Sequence, residues 1–448
     1  MKKTILAIFL IITLFCTLFS IPASAYQLSG FEVTAEGVML ASLDTGDVLY
    51  SKNADKKLYP ASLTKIMTAL ILLENTPDID SEIITVSHSA IHALDGTGSS
   101  IGGLKEGEKL TARQALYYLL MSSANECANA IAEHYGNGVI SNFIDLMNKR
   151  AEELELIGTH FVNPHGLHDP EHYTTVQDIY TLSLTALKYD AFVEVTSTKR
   201  YQMPPTNMQG ERLLVTTNFL QDRNNALGSE HYYEYAKGVK TGFTDEAGRC
   251  LVSTAYKDGY GYICVLMNTP PYKNGAKNFV QFTESKKLYE WAFSNFEYKT
   301  VVEPDTPVAE ATVELCWEHD FVPMALEGGL SAVLPKGADR STVQIKPAPY
   351  KETYDAPIKK GEVLGTAGIY YAGELLGTVN LVAADSREAN AFLVFWRYVT
   401  NALTSTVFKI ILLLVALAIL GFIVAVILMN RNRKKRRYRR GYKGYKKH

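Results

Sequence analysis

Ser62-Leu63-Thr64-Lys65-Ile66-Met67-Thr68-Ala69-Leu70-Ile71-Leu72-Leu73 couples a polar tetrad to an almost wholly apolar run. Residues 66–73 read as a buried helix, entered through the turn Tyr59-Pro60-Ala61. Residues three apart on a helix share a face, so the Ser62 hydroxyl and the Lys65 amine can point into one pocket. A lysine at the start of such a helix needs a reason, because an unpartnered buried ammonium is costly. Desolvation, or a second cation nearby, would lower its pKa toward that of a base able to activate Ser62. Taken alone, the tetrad also describes an N-cap serine followed by an exposed first-turn lysine, and a chain of this length contains about one or two such matches by chance.

Two further motifs follow in order, Ser123-Ala124-Asn125 and Lys240-Thr241-Gly242. The second is expected by chance in only about one chain in twenty of this size. Together the three supply a nucleophile, bases and a carboxylate-binding strand, a set suited to acyl-enzyme chemistry, with Lys240 as the second cation.

Outward from the tetrad, residues 38–43, 44–47 and 48–50 read as strand, tight turn and strand. Residues 66–189 are helical in pattern, with amphipathic stretches at 112–135, 139–156 and 175–189, and strands return from Gly238 through 250–256 and 260–267. Strands at both ends of a helical middle predict one α+β domain, residues 26–297, whose terminal strands meet in a common antiparallel sheet with the active site between sheet and helices. Residues 288–296 read as a helix packing back on that sheet, and residues 298–388 as a small all-β module, a spacer or contact domain.

At the N-terminus, Lys2 and Lys3 precede an apolar stretch and Ala23-Ser24-Ala25, so residues 1–25 read as a signal peptide with the mature chain starting at Tyr26. Cys16 follows Leu14-Phe15 rather than the small residues a lipidation site wants. Near the other end, residues 389–408 read as a linker and the uncharged run inside 409–430 as a single transmembrane helix. Residues 431–448 carry eleven Lys or Arg and no acid, which puts the tail in the cytoplasm and the catalytic domain outside. Between residues 26 and 408 the balance is 31 basic against 47 acidic residues, a net charge of −16. Such a surface excludes nucleic acid as a partner, and the tail reads as topogenic and lipid-headgroup charge.

Cys127, Cys250, Cys264 and Cys316 show no Cys-x-x-C and no histidine at metal spacing, so they read as buried thiols and no metal or cofactor is expected. A Cys250–Cys264 bridge is open to an exported protein, but a two-residue turn at Asp258-Gly259 would put the two on opposite faces of a hairpin. His165, in Asn163-Pro164-His165-Gly166, reads as stabilising a loop at the pocket rim ahead of a direct part in catalysis, and Arg249, which could attract a carboxylate, reads first as pairing with the nearby acids Asp245 and Glu246.

On these motifs, and on Gly98-Ser99-Ser100, Asn163-Pro164-His165-Gly166-Leu167, Lys240-Thr241-Gly242-Phe243-Thr244-Asp245 and Ala356-Pro357-Ile358-Lys359-Lys360-Gly361, the chain resembles the low-molecular-mass penicillin-binding proteins, the serine-type D-alanyl-D-alanine carboxypeptidases. The resemblance implies a β-lactamase/transpeptidase-like catalytic domain acting on the pentapeptide stems of peptidoglycan and inhibited by β-lactams. It implies Ser62 as nucleophile, Lys65 as its base and Ser123 as proton relay to the departing D-alanine. Asn125 would hold the acyl chain and Lys65, Lys240 and Thr241 the terminal carboxylate, and Gly242 would let a substrate backbone approach the strand edge. By analogy the main-chain N–H groups of Ser62 and Phe243 form the oxyanion hole. Departures are alanine at position 124 and a full transmembrane helix where many relatives hold on by an amphipathic one. A class A β-lactamase would need Glu-x-x-Leu-Asn, which is missing, and a penicillin sensor a cytoplasmic effector domain. A D,D-endopeptidase on cross-links remains a neighbour in the same chemistry.

Overall fold

The computed structural model describes residue 28 and residues 30–443; the expected leader at 1–25 and the last five residues of the tail lie outside the described residues. The chain divides into two units, Met1–Lys299 with Val333–Ala338, and Thr300–Ala332 with Asp339–His448.

In the first unit, β1 (Gly37–Ser42) and β2 (Val48–Lys52) form a hairpin. A 3₁₀ turn at Ala61–Thr64 then leads into helix Lys65–Asn75. The antiparallel pair β3 (Ile83–Thr85) and β4 (Lys109–Thr111), with the short helix His88–His92 between them in the chain, precedes helices Ala112–Leu120, Asn125–Tyr135, Ile140–Glu153, Val176–Ala186 and Asp190–Ser197. The hairpin of β5 (Arg200–Met203) and β6 (Arg212–Val215) follows them. Three long strands, β7 (Ala236–Thr244), β8 (Gly248–Lys257) and β9 (Tyr260–Thr269), complete an antiparallel sheet in the order β2-β1-β9-β8-β7, closed where Leu40 of β1 lies opposite Cys264 of β9.

Both faces of this sheet are covered, which explains why β8 and β9 are apolar nearly throughout rather than alternating. Met39, Ala41, Val252, Ile263 and Val265 join a core with the helical middle, whereas Val38, Leu40, Leu251, Tyr262 and Leu266 join a second core with Phe282, Leu288, Tyr289 and Phe293. Those last four lie on helix Val280–Asn295, which begins well before the expected residue 288. Helix Lys65–Asn75 is buried from Lys65 to Leu72 and packed on all sides, so it serves as the axle of the first core.

The stretch expected as one amphipathic run over 112–135 is broken. Helix Ala112–Leu120 stops at Met121, Ser123 takes a left-handed backbone (φ 58°), and Ala124 caps helix Asn125–Tyr135. Serines and asparagine, which compete locally for backbone groups, favour such a corner over continued helix.

In the second unit six strands form one sheet, in spatial order Gln344–Pro349, Val363–Tyr371, Glu374–Ala383, Phe321–Leu326, Pro307–Glu314 and Thr353–Asp355. The segment expected as a linker, residues 389–408, contains a helix, Ala391–Thr404. Its Arg397 reaches Glu314 and Asp355 of the sheet, while Phe392, Phe395, Trp396 and Leu403 are exposed. The apolar face of this helix therefore points away from its own unit. After an extended Ser405, a second helix begins, and its segment Thr406–Arg433 contains an 18-residue stretch with a mean hydropathy of 3.4 and is long enough to cross a bilayer.

All four described cysteines are free. Cys250 and Cys264 fall in different cores, as the two-residue turn demands. Cys316 is only half-buried, contrary to the expectation of four buried thiols.

Candidate active site

Ser62 sits in the 3₁₀ turn rather than in the helix proper. The preceding Ala61 adopts φ 47°, an unfavourable conformation for a residue with a Cβ, so the turn must be held from outside. The Thr64 hydroxyl donates to the Ala61 carbonyl (2.8 Å) and pairs with His172 Nε2 (2.8 Å). Burial lowers the His172 pKa to about 3, so the ring stays neutral. Gly166 closes the turn from above: a Cβ there would lie 1.8 Å from the Ala61 carbonyl oxygen.

Lys65 is fully buried, and its ammonium donates to Ser62 Oγ (3.0 Å), Asn125 Oδ1 (2.6 Å) and the His165 carbonyl (2.8 Å). Burial first, and the positive charge of Lys240 second, hold its pKa well below the ordinary lysine value. The broken helix is what brings Ser123 and Asn125 here, because Ser123 occupies the corner and Asn125 opens the next helix. Lys240, 1% exposed, donates to Ser123 Oγ (3.0 Å) and to the Thr241 carbonyl (2.9 Å); burial pulls its pKa down to about 7. The nucleophile and the second serine thus each face their own desolvated amine.

The edge strand β7 runs beside the serine turn. A Cβ on Gly242 would come within 3.1 Å of the Pro60 carbonyl oxygen and 3.2 Å of Ser62 N, so glycine here lets the turn itself approach the strand, as well as any substrate. Thr241 Oγ1 pairs with Thr217 Oγ1 at 2.7 Å. The Phe243 side chain is 42% exposed, leaving its backbone next to the turn as the feature of interest.

A cavity of about 520 Å³ is lined by Ser62, Ser123, Asn125, Thr241, Gly242 and Phe243. Lys65 and Lys240 lie behind this lining and reach it through the two serines. All eight expected site residues are therefore gathered at one place. His165 also lines the cavity, but its contribution is the main-chain carbonyl on Lys65; its ring accepts the Leu167 N–H (3.2 Å) and stays neutral, its pKa lowered to about 3 by burial.

Of two further cavity residues, Thr217 escaped the sequence reading and Arg249 has other neighbours than expected. Thr217 carries a hydroxyl beside Thr241 and belongs to no motif. Arg249 does not pair with Asp245 or Glu246. It lies opposite Phe243 in the β7–β8 register, and its guanidinium packs 4.9 Å from the Phe243 ring and 4.0 Å from Phe279. Among the described residues no carboxylate pairs with it, and Asp245 and Glu246 are exposed on the turn. Cross-strand register was the signal that could have found it: Arg249 closes the hairpin opened by Lys240-Thr241-Gly242. Among the described residues no group of His, Cys, Asp or Glu could hold a metal ion.

Profiles of known families match the chain twice, that of D-alanyl-D-alanine carboxypeptidase over residues 23–271 and that of the C-terminal domain of penicillin-binding protein 5 over residues 296–389. D-alanyl-D-alanine carboxypeptidase DacF of Bacillus subtilis is 31% identical over 363 residues, which is 81% of this chain and 88% of the relative. DacC of Escherichia coli is 30% identical over 374 residues, 80% of this chain and 86% of the relative. Among solved structures, penicillin-binding protein 5 from Haemophilus influenzae has a TM-score of 0.64 at 26% identity, covering 81% of this chain and all of that one. With a serine turn, two buried lysines and a match over more than half its length, the chain belongs to the D-alanyl-D-alanine carboxypeptidase family of serine peptidases.

Proposed function

We propose that the chain removes the terminal D-alanine from peptidoglycan stem peptides through an acyl-enzyme on Ser62. The observation that carries this is the Lys65 amine, buried and held by Ser62 Oγ, Asn125 Oδ1 and the His165 carbonyl. In its neutral form Lys65 takes the Ser62 proton as Oγ attacks the carbonyl between the two D-alanines. The oxyanion develops beside the main-chain N–H groups of Ser62 and Phe243, a type of donor worth on the order of a hundred- to a thousand-fold in rate. The proton passes from Lys65 by way of Ser123 to the leaving amine, the C–N bond breaks, and water then hydrolyses the Ser62 ester. Thr241, Thr217 and Arg249 form the seat for the terminal carboxylate, with Lys240 as the cation behind it.

A strained amide next to a carboxylate presents the same groups, so β-lactams acylate Ser62. The long apolar helix and basic tail support a single-pass membrane protein with this site outside the cytoplasm and peptidoglycan as its partner. The test is D-alanine release from an acyl-Lys-D-Ala-D-Ala peptide, with Ser62→Ala as control. Release that the substitution abolishes supports the carboxypeptidase reading. Cleavage of cross-linked dimers in preference to that peptide would replace it with an endopeptidase.

A further inference from the structure

Glu126 follows Asn125 directly, is 2% exposed, and uses only one end of its carboxylate. Oε1 accepts the N–H groups of Gly102 (2.6 Å) and Leu104 (3.3 Å), whereas Oε2 is buried without a partner. The segment it grips, residues 97–104, is tied to the same corner by Asn125 N–H donating to the Ser100 carbonyl (3.0 Å) and by Ser100 Oγ donating to the Ser122 carbonyl (3.2 Å). It lies flat there, since a Cβ on Gly102 would meet Tyr118 at 2.8 Å and Ala124 at 3.0 Å. From that position it lends Thr97, Gly98, Ser99 and Ser100 to the cavity wall.

Holding two backbone N–H groups needs an acceptor but not a charge, and leaving a carboxylate oxygen buried and unpaired is costly. The charge has a second addressee. Lys65 faces Lys240 from β7, Glu126 and Cys127 from helix Asn125–Tyr135, and the rings of His165 and His172 from the loop above. Glu126 is the acid in this set, and its attraction opposes the repulsion from Lys240. The groups that share its surroundings are Tyr118 and Cys127, both kept neutral by burial, and the ion pair of Glu108 with Arg212, whose guanidinium lies over the Tyr118 ring.

We propose that Glu126 is a positioning residue for the reaction inferred above: one oxygen latches the wall of residues 97–104 onto the Ser123–Asn125 corner, and the buried negative charge attracts the proton that Lys65 takes from Ser62. The proposal rests on that reaction, and glutamine and alanine separate its two parts. Both Glu126→Gln and Glu126→Ala remove the charge, while only alanine removes the acceptor.

The test is peptide hydrolysis by the full chain in detergent across pH 4–9. In both variants the acid limb of kcat/KM moves down by about half a unit to one unit, because Lys65 sheds its proton more readily. KM rises by about tenfold or more in Glu126→Ala and by less than about threefold in Glu126→Gln. Acid limbs that coincide with the wild type, or equal KM values in the two variants, would overturn the assignment. Lack of release by the wild type overturns the reaction itself, and the Glu126 role with it.

Discussion

Replacing Lys240 with methionine should stabilise the catalytic unit at neutral pH while abolishing its activity. Burial moves the Lys240 pKa from 10.5 to about 7, a displacement equivalent to roughly 5 kcal/mol held against the folded state. Methionine removes that cost but forfeits hydrogen bonds to Ser123 Oγ and the Thr241 carbonyl, together worth about 2–3 kcal/mol. The expected net gain at pH 7 is therefore about 2 kcal/mol. The sign depends on pH. Between about 7 and 10.5 the unfolded chain binds the proton that folded Lys240 has lost, so wild-type stability rises with pH through that window. The gain from methionine is full below about pH 7, shrinks as pH rises, and turns into a loss of about 2–3 kcal/mol near pH 10.5, where only the missing hydrogen bonds remain. Guanidinium unfolding of the detergent-solubilised chain at pH 7 and pH 10, followed by near-ultraviolet signals, reads both ends. A variant equally destabilised at the two pH values would refute the reasoning, because it would mean that burial of Lys240 costs nothing.

Arg249→Leu should raise KM for a carboxylate-terminated peptide about thirtyfold, some 2 kcal/mol, with little change for the corresponding carboxamide; equal losses for both in steady-state assays would remove Arg249 from the carboxylate seat. Gly166→Ala places a Cβ 1.8 Å from the Ala61 carbonyl oxygen at a φ of 89°, and should cost about 2–4 kcal/mol and slow Ser62 acylation by a labelled penicillin. An unchanged melting temperature and acylation rate would contradict the packing described for the serine turn. A chain ending at Ser405 should still bind lipid vesicles through helix Ala391–Thr404, and Phe395→Ser with Trp396→Ser should weaken that binding more than about tenfold in a flotation assay. Equal flotation of both forms would show that the outward apolar face is not a lipid contact.

What could be read from the sequence was local or was set by order along the chain. Ser62, Ser123 and Lys240 stand out because their motifs keep the reacting groups within a few residues, and the α+β sheet follows from strands flanking a helical middle. The rest depends on distant partners. Apolar spacing runs straight through Met121-Ser122-Ser123-Ala124, and the corner there is secured partly by the Ser100 carbonyl, well away in the chain. Likewise, the motif marks His165 as a loop residue at the rim, but not that its main-chain carbonyl, a group any residue type could supply, is what meets Lys65. Arg249 was misread because acids close in sequence look like partners, whereas the hairpin turns them to solvent and gives the guanidinium two aromatic rings. The order within residues 389–408 is not legible in the sequence, because the few polar residues of helix Ala391–Thr404 give no hint that Arg397 faces its own unit and the rings face out.

The back-to-back placement of Cys250 and Cys264 bears on how this protein can be made and handled. Burial in separate cores pushes both thiols up to about 12, so neither forms thiolate readily, and the sheet between them keeps the two sulfurs from meeting. With Cys127, Cys250 and Cys264 all buried and free, the catalytic unit should reach the same form in a reducing cytoplasm as in an oxidising exterior. Among the described cysteines, half-buried Cys316 is the accessible one. A single maleimide would then mark the second unit selectively, without touching the serine turn.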